Sequence, residues 1–382
     1  MQGPALPNPD TWDLSKYMTF LVVAGDPSGD MRAAELASAL KAQRPGLKII
    51  AVGGGRLKEV ADEFLEDLAG RGIVGFWEPL RHLPFLRKLL KRLGARLDAS
   101  AVDGVIVVDY YGFNRRVLEL AGRRGIPAYY YVCPQIWASR PGRLVVLKKL
   151  VRKALVLFPF EERLYREAGL PAAFVGHPLV ESLPAPRPGR GGEALRVGLL
   201  PGSRGAELRR HLALFLEAFR LLRKEFPEAR GIVIASRHLP PDTYAAAQGE
   251  AGVSVEQDPD YSVRSGLDVA LTASGTATLE NALLGIPMVV VYRMSWPTYW
   301  AARMLIRVPY IAMANILAGR RLVPELIQSD ATPGKVAAAA AAFLRDRTGN
   351  AALRGALAAL RSQLGGPGAA ARAASEILGD YR

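Results

Sequence analysis

The sequence predicts an α/β protein built of two doubly wound parallel sheets, each in its own domain. Three observations carry this. Short apolar runs alternate with amphipathic helical patterns along most of the chain, the rhythm of strand, crossover helix and parallel strand. The rhythm breaks once, near the middle, at Leu183-Pro-Ala-Pro-Arg-Pro-Gly-Arg-Gly-Gly192, and then restarts. Two apolar runs of the second half end in turns of small residues that open helices, at Leu200-Pro-Gly-Ser-Arg204 and at Thr272-Ala-Ser-Gly-Thr-Ala-Thr-Leu-Glu280. A chain of 382 residues is long enough for two sizeable cores.

The elements are expected in the following order. Thr19–Ala24 reads as the first strand, and about Met31–Gln43 as the helix after it. Leu47–Val52 is a second strand, and Gly53–Gly55 turns out of it. Val102–Val108 is a third, followed by a helix over Phe113–Arg123. Ala128–Val132 and Ala154–Leu157 are further strands, Glu161–Ala168 is helical, and Ala173–Gly176 closes the half. A linker over 183–193 then separates an N-terminal domain, 1–182, from a C-terminal domain, 194–368. The second domain has strands at Leu195–Leu200, Gly231–Ala235, Leu267–Leu271 and Met288–Tyr292, with helices over Ala206–Leu222 and Thr276–Leu284. Alanine-rich helices follow over Gly334–Arg345 and Ala351–Gln363. The segment 369–382 carries a terminal helix, near Ala369–Leu378, for which packing back on the N-terminal domain is one placement. Two such domains put a cleft between them, with ligands at the carboxyl ends of the strands.

Composition narrows the class. Half of the residues are hydrophobic and 23% are charged, an ordinary globular mix. No apolar run reaches the ~18–20 residues of a membrane span. Met1–Asp10 is proline-rich and polar, without the layout of a signal peptide, so a cytoplasmic protein is expected. A single cysteine, Cys133, excludes an intramolecular disulfide and any multi-cysteine metal site, and it sits in an apolar run as a small hydrophobe. The four histidines are scattered, so no metal site is expected.

The net charge of +14 calls for a partner. Over Arg81–Leu97, Leu86, Leu89, Leu90, Leu93 and Leu97 share one helical face, and Arg87, Lys88, Lys91, Arg92 and Arg96 fill the other. One reading is an interfacial helix that lies on an anionic membrane. The other is a packed helix with a solvated basic face. Aromatics do not alternate with basic residues as in a single-strand stacking platform, and no nucleic-acid partner is expected.

The two small-residue turns carry the chemistry. Backbone N–H groups at a strand-to-helix turn can face a ligand, and the helix dipole adds partial positive charge. Gly202, Ser203, Ser274, Gly275 and Thr276 would line a diphosphate site, and Arg204 would bring fixed charge and forked donors. Neither turn fits the P-loop or G-x-G-x-x-G pattern, and tight packing alone can also explain such turns. Asp109 ends an apolar strand, where a carboxylate can act as a base. A loop aspartate making an Asx turn is the other reading. The one D-x-D, Asp258-Pro-Asp260, reads as a turn and helix cap.

These residues resemble lipid-A-disaccharide synthases, a family of inverting glycosyltransferases with the two-domain GT-B fold. The resemblance runs from about Thr19 to Lys335 and is carried by Val132-Cys-Pro-Gln-Ile-Trp-Ala-Ser-Arg-Pro-Gly-Arg143, Leu157-Phe-Pro-Phe-Glu161, Phe174-Val-Gly-His-Pro178, Leu199-Leu-Pro-Gly-Ser-Arg204, Ser274–Glu280 and Asn315-Ile-Leu-Ala-Gly-Arg-Arg-Leu-Val-Pro-Glu-Leu326. It implies transfer of 2,3-diacylglucosamine from a UDP donor to a phosphorylated, acylated sugar acceptor, 2,3-diacylglucosamine 1-phosphate, in a β-1,6 linkage with release of UDP and no cofactor. By the same resemblance Asp109 matches the catalytic aspartate and Arg204 the essential arginine. Asp26, Ser28 and Asn315 match substrate-binding positions. Glu280 would bind the ribose hydroxyls, or would pair with a nearby arginine instead. The protein is expected on the inner face of the cytoplasmic membrane, held peripherally through Arg87, Lys88, Lys91 and Arg92, and a homodimer is one assembly it allows.

Departures gather in the first half. The family's A-G-E-x-S-G-D is Ala24-Gly-Asp26-Pro-Ser28-Gly-Asp30 here, and its I-D-A-P-D-F-N is Val108-Asp-Tyr-Tyr-Gly-Phe-Asn114. Its M-G-x-V-E-V-L becomes Arg71-Gly-Ile-Val-Gly-Phe-Trp-Glu-Pro-Leu80, with added aromatics. A UDP-sugar transferase with a different acceptor is therefore the first alternative. A UDP-N-acetylglucosamine 2-epimerase shares the fold, but its histidine–acid motif is absent. A basic nucleic-acid-binding protein is the alternative from another class.

Overall fold

The computed structural model describes residues 18–71, 82–99, 101–136, 142–187, 195–237, 239–296, 299–300, 303 and 308–381. The chain divides into two compact units: Met1–His177 together with Gly368–Arg382, and Pro178–Pro367.

The first unit is one parallel sheet of β1 (Thr19–Ala24), β2 (Lys48–Gly53), β3 (Glu63–Asp67), β4 (Gly104–Val108), β5 (Ala128–Tyr131), β6 (Lys153–Val156) and β7 (Ala172–Phe174). Their order across the sheet is β3-β2-β1-β4-β5-β6-β7. Its helices are α1 (Pro27–Gln43), α2 (Gly55–Val60), α3 (Leu83–Ala99), α4 (Tyr111–Gly122), α5 (Gly142–Leu150) and α6 (Pro159–Glu167). Alternate residues of a strand point to opposite faces, so each interior strand feeds two cores. Leu21, Val23, Val105, Val107 and Tyr130 pack on one face with α3 and α4 residues such as Leu89, Leu93 and Val117. Phe20, Val22, Ile106, Val108, Tyr129 and Tyr131 pack on the other with Leu36 and Leu40 of α1.

The second unit repeats the plan with β8 (Arg196–Leu200), β9 (Arg230–Ala235), β10 (Val253–Gln257), β11 (Val269–Ala273), β12 (Met288–Tyr292) and β13 (Glu325–Ile327), ordered β10-β9-β8-β11-β12-β13 and all parallel. Its helices include α7 (Leu179–Ser182), α8 (Gly205–Glu225), α9 (Ala245–Gln248), α10 (Thr276–Leu283), α11 (Met313–Ala318), α12 (Pro333–Arg345) and α13 (Arg347–Gln363). The last helix, α14 (Ala369–Leu378), belongs to the first unit. There Ala373, Ala374, Ile377 and Leu378 join the α1 side of the core.

Three strands absent from the sequence reading, β3, β10 and β13, are all sheet edges. They read Glu-Phe-Leu-Glu-Asp, Val-Ser-Val-Glu-Gln and Glu-Leu-Ile and are at most half-buried. An edge strand covered on one side needs no continuous apolar run, so hydropathy does not reveal it. The expected linker also reads differently where it is described. Arg361 of α13 donates to the carbonyls of Leu183 and Pro184, each at 2.8 Å, and to that of Val180, which fastens 180–184 to the second unit. Residues 188–193 lie outside the described residues, as do the aromatic 72–80 stretch and Met1–Asp10.

The structure decides between the two readings of α3. The leucine face of α3 is not available to a membrane: Leu86, Leu89, Leu93 and Leu97 are buried in the core, and Leu90 packs against it. Arg87, Lys88, Lys91 and Arg92 are exposed on the other face. The helix is amphipathic because it caps a sheet, which is the commoner cause of that pattern.

Candidate functional site

In each unit the strand order reverses at one point, between β1 and β4 and between β8 and β11. Ligands of open parallel sheets bind where the order reverses, outside the carboxyl ends of the strands. The candidate residues Asp26, Ser28 and Asp109 follow β1 and β4, and the two small-residue turns follow β8 and β11.

In the first unit Asp26 caps α1. Its Oδ1 accepts from the Gly29 N–H and from the Ser28 hydroxyl, both at 2.7 Å. Pro27, at the first helical position, has no N–H to leave unpaired there. Asp109 leaves β4 in a left-handed conformation, φ +47°, and Tyr110 continues it at φ +42°. The Asp109 N–H still donates to the Tyr131 carbonyl at 3.1 Å, so the turn begins from an intact ladder. Its Oδ1 accepts from the Tyr110 N–H at 2.9 Å, one residue on; an Asx turn would use the N–H two residues on. The Tyr110 ring fills the space beside Gly25 where a side chain would otherwise stand. Burial, reinforced by the Asp26 carboxylate, pushes Asp109 up to about 6. A carboxylate with that affinity can take a proton near neutral pH and is still ionised enough to do so.

In the second unit the turn Pro201–Arg204 leads into the long helix α8. Gly202 sits at φ +110°, and a Cβ there would fall within 2.8 Å of the Glu207 side chain, so only glycine suits. Ser203 and Arg204 are exposed, and the Arg204 guanidinium donates to Glu207 Oε1 at 2.8 Å. The second turn follows β11. The Ser274 N–H is taken by the Val291 carbonyl at 3.0 Å, while Gly275 and Thr276 are exposed at the start of α10. Gly275 has φ +156°, with open space around its missing side chain. The first N–H groups of a helix have no partner within it, so the starts of α8 and α10 offer donors to an anion beside these turns.

Glu280 and Asn315 are placed otherwise. Glu280 takes the arginine alternative: it accepts from Arg264 and from the Tyr261 hydroxyl at 3.1 Å. Asn315 is corrected. It is fully buried, its Nδ2 donates to Val323 O at 2.9 Å and Glu325 Oε1 at 2.8 Å, and its Oδ1 accepts from Leu322 and Val323 N–H groups. All of its polar atoms are used to tie the loop after α11, so it presents none to a ligand. The D-x-D carboxylates serve a turn: Asp258 accepts from Val263 N–H and Arg264, and Asp260 from Ser262.

Sequence reasoning missed three supporting residues. The Tyr130 hydroxyl donates to Asp109 O at 2.6 Å, and the Asn114 amide donates to the same oxygen at 2.7 Å. His211 sits within 2.9 Å of Glu207 O through Nδ1 and accepts from Arg293 N–H at 3.3 Å through Nε2. Burial lowers the proton affinity of the imidazole, and the ring joins the start of α8 to the segment just after β12. Tyr130 stands in an apolar run and His211 on a helix face that reads as core; only Asn114, five residues after Asp109, gave a signal.

Comparison with known proteins finds similarity over nearly the whole chain. Residues 20–369 match the family model of lipid-A-disaccharide synthetase. The chain is 39% identical over 372 residues to a lipid-A-disaccharide synthase of Anaeromyxobacter dehalogenans, covering 95% of this chain and 97% of that one. It is 39% identical over 368 residues to that of Myxococcus xanthus, covering 94% and 96%. Among solved structures, MurG of Acinetobacter baumannii superposes with TM-score 0.58 at 17% identity, over 95% of this chain and 99% of that one. UDP-GlcNAc 2-epimerase of Neisseria meningitidis, bound to UDP-GlcNAc, superposes with TM-score 0.58 at 13% identity, over 95% and 99%. At such identities these two structures establish the shared fold.

Proposed function

This chain belongs to the lipid-A-disaccharide synthetase family, and from that premise we propose how its residues divide the reaction. It is a UDP-sugar-dependent inverting hexosyltransferase of lipid A synthesis. The observation that carries the assignment of roles is that every loop with reactive residues leaves a strand beside a point where the sheet order reverses.

In our reading the acceptor is 2,3-diacylglucosamine 1-phosphate. Asp109 removes the proton from its 6-hydroxyl as that oxygen forms a bond to the anomeric carbon of the donor. The bond from that carbon to the diphosphate oxygen breaks, and UDP leaves with the electron pair. Attack opposite to the leaving group turns an α-linked donor into a β-linked product. Arg204, the N–H groups of the Gly202–Ser203 and Gly275–Thr276 turns and the Ser274 hydroxyl meet the charge on the departing diphosphate. Asp26 and Ser28 bind the acceptor beside the base. The exposed cations of α3 give a purely electrostatic contact with an anionic membrane surface, which brings the enzyme to its acylated substrates.

Arg204→Ala tests the donor half. Turnover should fall by about 10²-fold or more, as for a lost oxyanion donor, and calorimetry should show weaker UDP binding. Unchanged UDP affinity together with normal turnover refutes the role.

A further inference from the structure

We propose that Tyr130 is a positioning residue: its hydroxyl, with the Asn114 amide, holds the left-handed turn that aims the Asp109 carboxylate. The inference rests on the reading of Asp109 as the base.

Asp109 and Tyr110 are successive non-glycine residues with positive φ. Such a pair is disfavoured by contacts of Cβ with the backbone, and it persists only where the surroundings over-determine it. The over-determination is visible. The carbonyl oxygen of Asp109 accepts two side-chain donors, Tyr130 Oη at 2.6 Å and Asn114 Nδ2 at 2.7 Å, which satisfies both of its lone pairs. Asn114 also donates to Val108 O at 3.0 Å, so one amide bridges the carbonyls before and at the turn. These bonds fix the 109–110 peptide, and the direction of the Asp109 side chain follows from that peptide.

Tyr130 itself is fully buried in the middle of β5, so it touches no substrate. Its ring fills the core among Val105, Val107 and Val117 as a phenylalanine would. The hydroxyl is therefore the part that packing does not explain. A carboxylate misplaced by an ångström loses much of its catalytic effect.

Tyr130→Phe keeps the ring and deletes one donor. We expect kcat to fall between about 10-fold and 10²-fold, with KM for the UDP-sugar nearly unchanged and the acid limb of the kcat profile displaced. That limb reports Asp109 among the groups that face it, Asp26, Tyr110, Tyr130 and Cys133, with Tyr111 and Arg143 acting on Tyr130. Asn114→Ser should show the same signature. In an Asp109→Asn background Tyr130→Phe should add no further loss. Wild-type kcat and pH profile in Tyr130→Phe, beside an inactive Asp109→Asn, would overturn the positioning role alone. A wild-type rate in Asp109→Asn would overturn the base assignment and the positioning role with it. Failure of both Tyr130→Phe and Asn114→Ser to fold would assign the two residues to the core and also overturn the proposal.

Discussion

Asp109 ties the chemistry of this site to a stability cost. Its folded pKa of about 6 lies above the ordinary 3.8, with burial the larger cause and the Asp26 carboxylate the second. The folded state therefore favours the protonated form. Stability from this group is present below about pH 3.8 and is lost as pH rises through about 6, up to roughly 3 kcal/mol by linkage. Asp109→Asn removes the charge and the basicity together. The variant should bind UDP normally and lose transfer, yet melt higher than wild type at pH 7.5, with the difference vanishing near pH 3.5. Activity should rise with pH through the same range, since the base must be ionised. Asp26→Asn deletes the like charge and should shift the acid limb to lower pH, but only part of the way, because burial remains. An acid limb that stays in place would show that Asp26 does not act on the base.

At the scale of single elements, strands β1, β4, β5, β8 and β12 were legible because both faces of an interior strand are buried, which forces continuous apolar runs. The edge strands β3, β10 and β13 were not, and neither were the partners of the site residues. Asn315 carried a ligand role through the resemblance alone, and nothing local predicts that Leu322, Val323 and Glu325 return to surround its amide. Tyr130 looked like plain core because its hydroxyl finds its acceptor on a neighbouring strand, 21 residues away. For α3 the pattern allowed two readings, and only the packed sheet decides between them. With its leucines buried, the membrane contact proposed above would rest on charge alone. Arg92 already lies 3.5 Å from Glu66, while Arg87, Lys88 and Lys91 have no ion-pair partner among the described residues. Each exposed cation near an anionic surface contributes about 1 kcal/mol, screened beyond ~10 Å at 0.1 M salt. The protein should co-sediment with anionic vesicles at low salt, release at high salt, and ignore neutral vesicles. Lys88, Lys91 and Arg92 changed together to glutamate should abolish the binding. Equal binding to neutral and anionic vesicles, unaffected by those changes, would make α3 purely structural.

At the scale of the whole molecule, the first unit is made from two distant stretches of chain, with all of the second unit between them. The closing stretch is a structural part of the first unit. Ile377 and Leu378 are buried beside α1. Asp380 accepts from Tyr129 Oη at 3.1 Å, Arg152 Nε at 2.9 Å and Lys153 Nζ at 2.9 Å. Burial opposes the Asp380 charge, but the Lys153 and Arg152 bonds outweigh it and hold the carboxyl below its ordinary range. Tyr381 donates to Asp103 O at 2.8 Å and sets its ring edge-on to Phe20 of β1, 5.5 Å between centroids. Truncation after Pro367 deletes all of this while leaving every residue of the proposed site in the chain. Two buried aliphatic side chains alone contribute about 3–6 kcal/mol, a large share of the stability of an ordinary domain. Hydrogen exchange should therefore show α1 and β1 losing protection in the truncated protein, with β8 and β11 unchanged. Transfer should be lost with Asp26 and Asp109, while UDP binding by the second unit persists. Equal loss of protection in both sheets, or loss of UDP binding with the first unit intact, would show that the C-terminal stretch does not serve the first unit alone.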